Sequence, residues 1–117
     1  MGATFEDAAR NHAVRLVASG TLPPTTLVDE WRTTRGQPAQ VDVLGLAPDH
    51  RTVAIGEAKW QQRPLGNHEL DELAAKLRSV PDPVPQPTFL LYGRGGARPE
   101  MLSERVLGFD IGAMLDI

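Results

Sequence analysis

The chain contains no cysteine, which excludes disulfides and cysteine-ligated zinc or redox centres and suits a reducing compartment. No apolar run approaches the ~20 residues that a membrane-spanning helix needs. The opening stretch Met1–Arg10 is polar, unlike a signal sequence. A soluble, cytoplasmic protein with no membrane attachment is therefore expected. Internal repeats are absent. So is any G-x-x-x-x-G-K-[ST] phosphate loop, which rules out that route to ATP binding. Lysine is scarce: ten of the twelve cationic side chains are arginine, and Lys59 is one of only two lysines.

What remains is enough for one small domain. With 117 residues and 41% apolar side chains, the chain can build one core but not two. A net charge of −3 gives no global attraction to nucleic acid. Residues 32–65 nevertheless carry five Lys/Arg against three Asp/Glu, so a local basic surface is compatible with the sequence.

Thr4 and Asp7 have the spacing of a capping box, and Phe5, Ala8, Ala9, Ala13, Leu16 and Val17 follow at helical intervals until Gly20. Residues 26–34 have the β-branched and aromatic content of a strand, and Gly36-Gln-Pro38 reads as a turn. Residues 40–47 and 52–60 predict two strands joined by a hairpin turn at Pro48-Asp-His-Arg51. Asn67 is placed to cap a helix bearing Leu70, Leu73, Ala74, Leu77 and Val80. A Pro-rich connector over 81–87 leads to a buried strand at Thr88–Tyr92, a turn at Gly93–Gly96, a short helix over Pro99–Val106 and a last strand in the tail. The expected fold is α/β (α+β), in the order α-β-β-β-α-β, with a mixed sheet flanked by helices. Its core covers about 2–96, and 97–117 is a C-terminal extension.

The stretch Thr52-Val-Ala-Ile-Gly-Glu-Ala-Lys-Trp60 carries the chemical interest. Strand alternation continues the face of Val53 and Ile55 into Glu57 and Lys59. A turn centred between Asp49 and His50 pairs residues whose numbers sum to 99, which sets Asp42 across from Glu57. Their Cβ atoms would then be roughly 4.5–5.5 Å apart. Asp42 also interrupts the apolar run Val41–Leu46, typical of a strand covered on both faces. Two facing carboxylates in such a place repel and are costly to desolvate, and a divalent cation with oxygen ligands compensates them better than one lysine.

Asp42, a gap of fourteen residues, and then Glu57-Ala-Lys59 at a strand end, with Glu6 in a preceding helix, resembles the PD-(D/E)xK nuclease superfamily. More narrowly, Gly2-Ala-Thr-Phe-Glu6, Trp31, Val41-Asp-Val43, Gly56-Glu-Ala-Lys-Trp60 and Glu69-Leu-Asp-Glu-Leu73 look like the nuclease-like domain at the C-terminal end of certain prokaryotic AAA-type ATPases. The resemblance covers residues 2 to about 96. It implies a restriction-endonuclease-like core, a Mg²⁺ (or Mn²⁺) site and phosphodiester hydrolysis. Val41 replaces the proline of the superfamily's name, and Gln40 stands where the narrower family often has an acid; neither change removes a metal ligand. Without an ATP-binding part, the chain would be an excised domain or a stand-alone relative.

On that resemblance, Asp42 and Glu57 hold one or two metal ions with the Ala58 carbonyl, and Glu6 reaches a second ion or its water shell. Lys59 orients the attacking water or neutralises the developing oxyanion. A compact ammonium suits that task in a chain whose usual cation is arginine. Plainer readings stand beside these. Glu57 and Lys59 are also what a solvated strand end would carry, and Glu6 is what a helix macrodipole favours in the first turn. His12 falls on the apolar stripe of the first helix, and His12, His50 and His68 show no metal spacing. Trp31 and Trp60 read as packing residues, Gly93–Gly96 as a turn that could form an anion nest, and Glu69–Glu72 as a charged outer face.

Two functions follow as expectations. One is a metal-dependent DNA endonuclease domain, with DNA as partner and an ATPase module or a second copy as further possible partners. The other is a nuclease-like docking or regulatory module of an AAA-type ATPase that no longer cuts. A nucleotide- or small-molecule-binding domain built on Gly93–Gly96 is a third, less supported reading.

Overall fold

The computed structural model describes residues 4–34 and 38–115. The expected turn at Gly36-Gln-Pro38 and the Gly2-Ala3 part of the first motif therefore lie largely outside the described residues.

Helix α1 (Phe5–Ala18) begins where the capping box predicts. Thr4 Oγ1 accepts the Asp7 N–H and Asp7 Oδ2 accepts the Thr4 N–H, each at 3.1 Å, which satisfies two otherwise orphaned donors. The helix gives way to Gly20 at φ +82°, a conformation that glycine adopts without strain. Strands β1 (Leu27–Thr33), β2 (Ala39–Leu46) and β3 (Thr52–Lys59) form an antiparallel meander. Helix α2 (Asn67–Ala75) then carries the chain to β4 (Thr88–Gly93), which lies parallel to β3. Strand β5 (Val106–Phe109) adds in parallel to β4, and a one-turn helix α3 (Ile111–Met114) follows. The five strands lie in chain order across one mixed sheet, so the expected α-β-β-β-α-β arrangement is present and extended by a fifth strand.

The sheet is covered on both faces. Ala9 and Ala13 of α1 pack with Val43, Ala54, Ala58, Leu90 and Tyr92 on one side. Leu73 packs with Val41, Leu44, Ile55 and Leu91 on the other, together with Leu65 and Val80 from the flanking loops. Strands buried on both faces read as the near-continuous apolar runs seen in β2 and β4. At Gly56, in the middle of β3, a Cβ would lie 3.0 Å from the Cβ atoms of both Leu90 and Val43. Glycine is what allows the three central strands to sit this close one residue before Glu57.

Three expected boundaries shift. Gly66, not Asn67, is the N-cap of α2. Glu69 Oε1 reaches back to the Gly66 N–H at 2.6 Å, so the acid supplies the cap that glycine's missing side chain cannot. The helical stripe that runs on to Val80 tightens into a 3₁₀ turn at Lys76–Ser79, where the Ser79 carbonyl accepts the Trp31 indole N–H at 2.9 Å. The helix expected over Pro99–Val106 is a single 3₁₀ turn, Pro99–Met101, because Val106 pairs with Phe89 and opens β5. Within residues 97–115, β5 adds the last strand of the sheet and Met114 joins the core beneath α1. Among the described residues, no helix is long and apolar enough to cross a membrane.

Candidate functional site

The site forms where β2 and β3 part. Their ladder follows the expected register at Val43↔Gly56, Leu44↔Ile55 and Gly45↔Ala54, and it contains no Asp42↔Glu57 pair. The cause lies on the other side of β2. Between Asp29↔Leu44 and Trp31↔Val41, β1 has one residue, Glu30, while β2 has two, Asp42 and Val43. This β-bulge bends β2 and shifts its alternation, so Val41 and Leu44 share the α2 face although they are three residues apart. The direct facing of two carboxylates is corrected accordingly.

Asp42 instead takes over a backbone role. Its Oδ2 accepts the Ala58 N–H at 2.9 Å, filling the place of a ladder carbonyl, and its own carbonyl accepts from Arg10 Nη1 of α1 at 2.8 Å. Oδ1 has only a long contact, 3.5 Å, from Gln40 Nε2. Since the amide and carbonyl of a strand residue point to the same neighbour, the Ala58 carbonyl also faces the gap in which Asp42 sits.

Glu57 and Lys59 lie on the face of Ile55, as strand alternation predicts, beneath α2 and its 3₁₀ extension. Glu57 is 8% exposed. Its Oε1 lies 3.7 Å from Lys76 Nζ, while Oε2 is buried with no hydrogen-bond partner. Burial pushes the Glu57 carboxyl above the usual carboxylate range, the Lys76 and Lys59 ammonium groups pull it back, and Asp42 and Glu72 push it up again. Asp42 and Glu57 are therefore coupled through charge without sharing a hydrogen bond. Lys59 Nζ lies 3.5 Å from Glu72 Oε1, and the same oxygen is 3.3 Å from His68 Nε2.

Glu6 is half-buried in the first turn of α1, and no hydrogen bond or ion pair ties it to Asp42, Glu57 or Lys59. Its helix covers the opposite face of the sheet, although Phe5 touches Trp60, with ring centroids 5.1 Å apart, just beyond the end of β3. His12 is a core histidine whose Nδ1 lies 3.0 Å from the Tyr92 hydroxyl, and burial lowers its pKa. His68, given no metal spacing in the sequence, comes together with Glu69 and Glu72 so that one ligand atom of each lies within 4.8 Å of the others. Glu69 there serves the α2 cap and Glu72 serves Lys59. Trp31 packs as expected. Trp60 is 58% exposed, with the Arg94 guanidinium 5.2 Å from its ring centroid.

The residue that sequence reasoning missed is Lys76. It donates to the Gln40 carbonyl at 2.8 Å as well as pairing with Glu57, so both lysines of the chain stand at one cluster of acids. The signal was the scarcity of lysine itself, which applied to Lys76 as much as to Lys59. Beside it opens a cleft of about 950 Å³ lined by Lys76, Arg78, Gln40, Thr33 and Ser79 among others. No family model matches the chain, and no curated protein or solved structure compared with it does.

Proposed function

We propose that this chain binds Mg²⁺ or Mn²⁺ between Asp42 and Glu57 and hydrolyses phosphodiester bonds in DNA. The observation that carries the reading is Glu57 Oε2, a buried carboxylate oxygen with no hydrogen-bond partner among the described residues, on the residue that follows the last β2–β3 pair, Val43↔Gly56. A buried carboxylate oxygen without a hydrogen bond is costly even when the other oxygen is ion-paired, and it is a reason to look for a further positive ligand. The donors suit a hard cation: Glu57 Oε2, Asp42 Oδ1 and the Ala58 carbonyl are all oxygens, and the first two have no short hydrogen bond. Such an ion would make a bound water acidic near pH 7 and offset charge on the phosphoryl oxygens.

The protein's own part is to aim these groups. Gly56 lets β3 pack tightly, Arg10 and the Ala58 amide hold Asp42, and Lys59 stands two residues beyond Glu57 to orient a water or balance an oxyanion. The cleft lined by Lys76 and Arg78 offers positive charge to a polyanion on an otherwise acidic protein. The order of helices and strands agrees with the PD-(D/E)xK resemblance, and a cytoplasmic setting agrees with the lack of cysteine. Glu6 keeps only the supporting role of a candidate for a second ion.

Incubation with supercoiled, linear and branched DNA in Mg²⁺ or Mn²⁺ tests the proposal. Cleavage by the wild type that is lost in Glu57→Gln and Asp42→Asn supports it. No cleavage of any form, together with no Mn²⁺-dependent rise in melting temperature, overturns it.

One observation favours the second reading, a docking module for an ATPase. Trp60 and Leu115 are each 58% exposed and border an apolar cavity of about 390 Å³ with Phe5, Ala8, Ile111 and Met114. A patch of that kind suits a protein partner, whether an ATPase module or a second copy. Binding of metal without cleavage would move the balance to this reading.

A further inference from the structure

We infer that Lys76 is an exchangeable counter-ion: it holds Glu57 while the cation site is empty, and turns to a substrate phosphate in the adjoining cleft once a divalent cation occupies Glu57. The inference rests on the reading of Asp42 and Glu57 as a cation site and adds to it a lysine outside the Glu57-Ala-Lys59 stretch.

The geometry separates the two lysines. Lys59 is engaged by Glu72, itself in contact with His68, at the outer side of the site. Of the two lysines, Lys76 is the one paired with Glu57, and it is paired at Oε1, leaving the buried Oε2 without a hydrogen-bond partner among the described residues. At 3.7 Å the Lys76–Glu57 contact is an ion pair longer than a good hydrogen bond, whereas Lys76 is anchored firmly to the Gln40 carbonyl at 2.8 Å. Losing Glu57 would therefore leave the lysine attached at the rim of the site.

Its setting supplies the alternative partner. Lys76 begins the 3₁₀ turn that succeeds α2, and it lines the same cleft as Gln40, Arg78 and Thr33. A cation at Glu57 takes over the charge that Lys76 now balances, and two positive charges sharing one carboxylate repel. The ammonium, on a flexible four-carbon stem, can then turn into the cleft and meet the negative charge of a phosphodiester. Lys76 is thus a positioning residue for Glu57 without metal and a substrate-binding residue with it.

Lys76→Met and Lys76→Arg test this. Mn²⁺ binding is measured by calorimetry on folded protein, and DNA binding by fluorescence anisotropy with a short phosphorothioate duplex that resists cleavage, with and without Mn²⁺. Removing a competing charge a few ångströms from the ligand should tighten Mn²⁺ binding about five- to tenfold in Lys76→Met. The same variant should lose several-fold in Mn²⁺-dependent DNA affinity, while Lys76→Arg stays near wild type in both. Unchanged or weaker Mn²⁺ binding by Lys76→Met overturns the inference, as does unchanged DNA binding. A wild type that fails to bind Mn²⁺ overturns the cation-site reading itself, so the two failures are distinguishable.

Discussion

Asp42 Oδ2 accepts the backbone N–H of Ala58 at 2.9 Å, so one carboxylate replaces a strand carbonyl at the point where β2 and β3 separate. This gives Asp42 a structural duty independent of any metal. In the absence of metal, Asp42→Asn keeps an acceptor oxygen and relieves charge repulsion toward Glu57, and it should be at least as stable as wild type. Asp42→Ala leaves the part-buried Ala58 amide without its partner and should cost about 1–2 kcal/mol. Urea denaturation of the three proteins in chelator measures the difference. Equal stability of the alanine and asparagine variants would count against the bridging role.

Metal should act on stability through the same residues. For a Mn²⁺ affinity of about 1 mM, 10 mM metal adds RT ln(1 + 10), about 1.4 kcal/mol. That corresponds to a rise of roughly 4–8 °C in melting temperature for a small domain. Asp42→Asn and Glu57→Gln should lose most of the rise at matched ionic strength, as thermal melts with and without Mn²⁺ would record.

Glu57 makes stability depend on pH in a defined direction. Burial raises its carboxyl in the folded state above the ordinary value of 4.5. The unfolded chain therefore ionises first as pH rises, and the folded state loses stability from about that value up to the native pKa, beyond which the loss is complete. Relative to Glu57→Gln, the metal-free wild type should be less stable at pH 7.5 than at pH 4.5. Mn²⁺ binding, which needs the ionised form, should weaken as pH falls. Paired urea melts across that range, with calorimetry at each end, would check both signs.

The division of roles between Lys59 and the acids predicts separable defects. Lys59→Ala should abolish DNA cleavage and leave the Mn²⁺-induced melting shift largely intact, whereas Asp42→Asn should remove both. Equal loss of metal binding in the two would refute the division.

Gly56→Ala should be costly without touching a charged group. The added methyl meets Leu90 and Val43 at 3.0 Å and the Leu90 carbonyl at 3.1 Å, among strands that have little room to separate. Overpacking of this kind costs typically 1–3 kcal/mol. The loss should be visible as a lower urea midpoint at unchanged slope.

Much of the scaffold was legible because its signals are local. Thr4 and Asp7 announced α1, the Pro48–Arg51 turn fixed the β2–β3 register over three pairs, and alternation placed Glu57 and Lys59 on the Ile55 face. The rest depends on distant partners. Only β1, through Glu30, reveals that Asp42 and Val43 form a bulge, and nothing near Lys76 in the chain points to Glu57, nineteen positions earlier. Val106 was absorbed into a helix because a four-residue edge strand has too few residues to show its alternation. Gly66 hid its cap for the opposite reason: the capping group belongs to Glu69.

The extra residue in β2 makes tolerance to length change uneven along the chain. Adding or removing a residue in the exposed turn at 48–50 alters a loop tip. Deleting Asp42 or Val43 would straighten β2 and keep Val41 on its face, but a single side chain would then have to serve both as acceptor of the Ala58 N–H and as the apolar contact beneath α1. Insertions and deletions, whether natural or made in the laboratory, should therefore accumulate at the hairpin tip and spare this two-residue step even where single substitutions on either side of it are accepted.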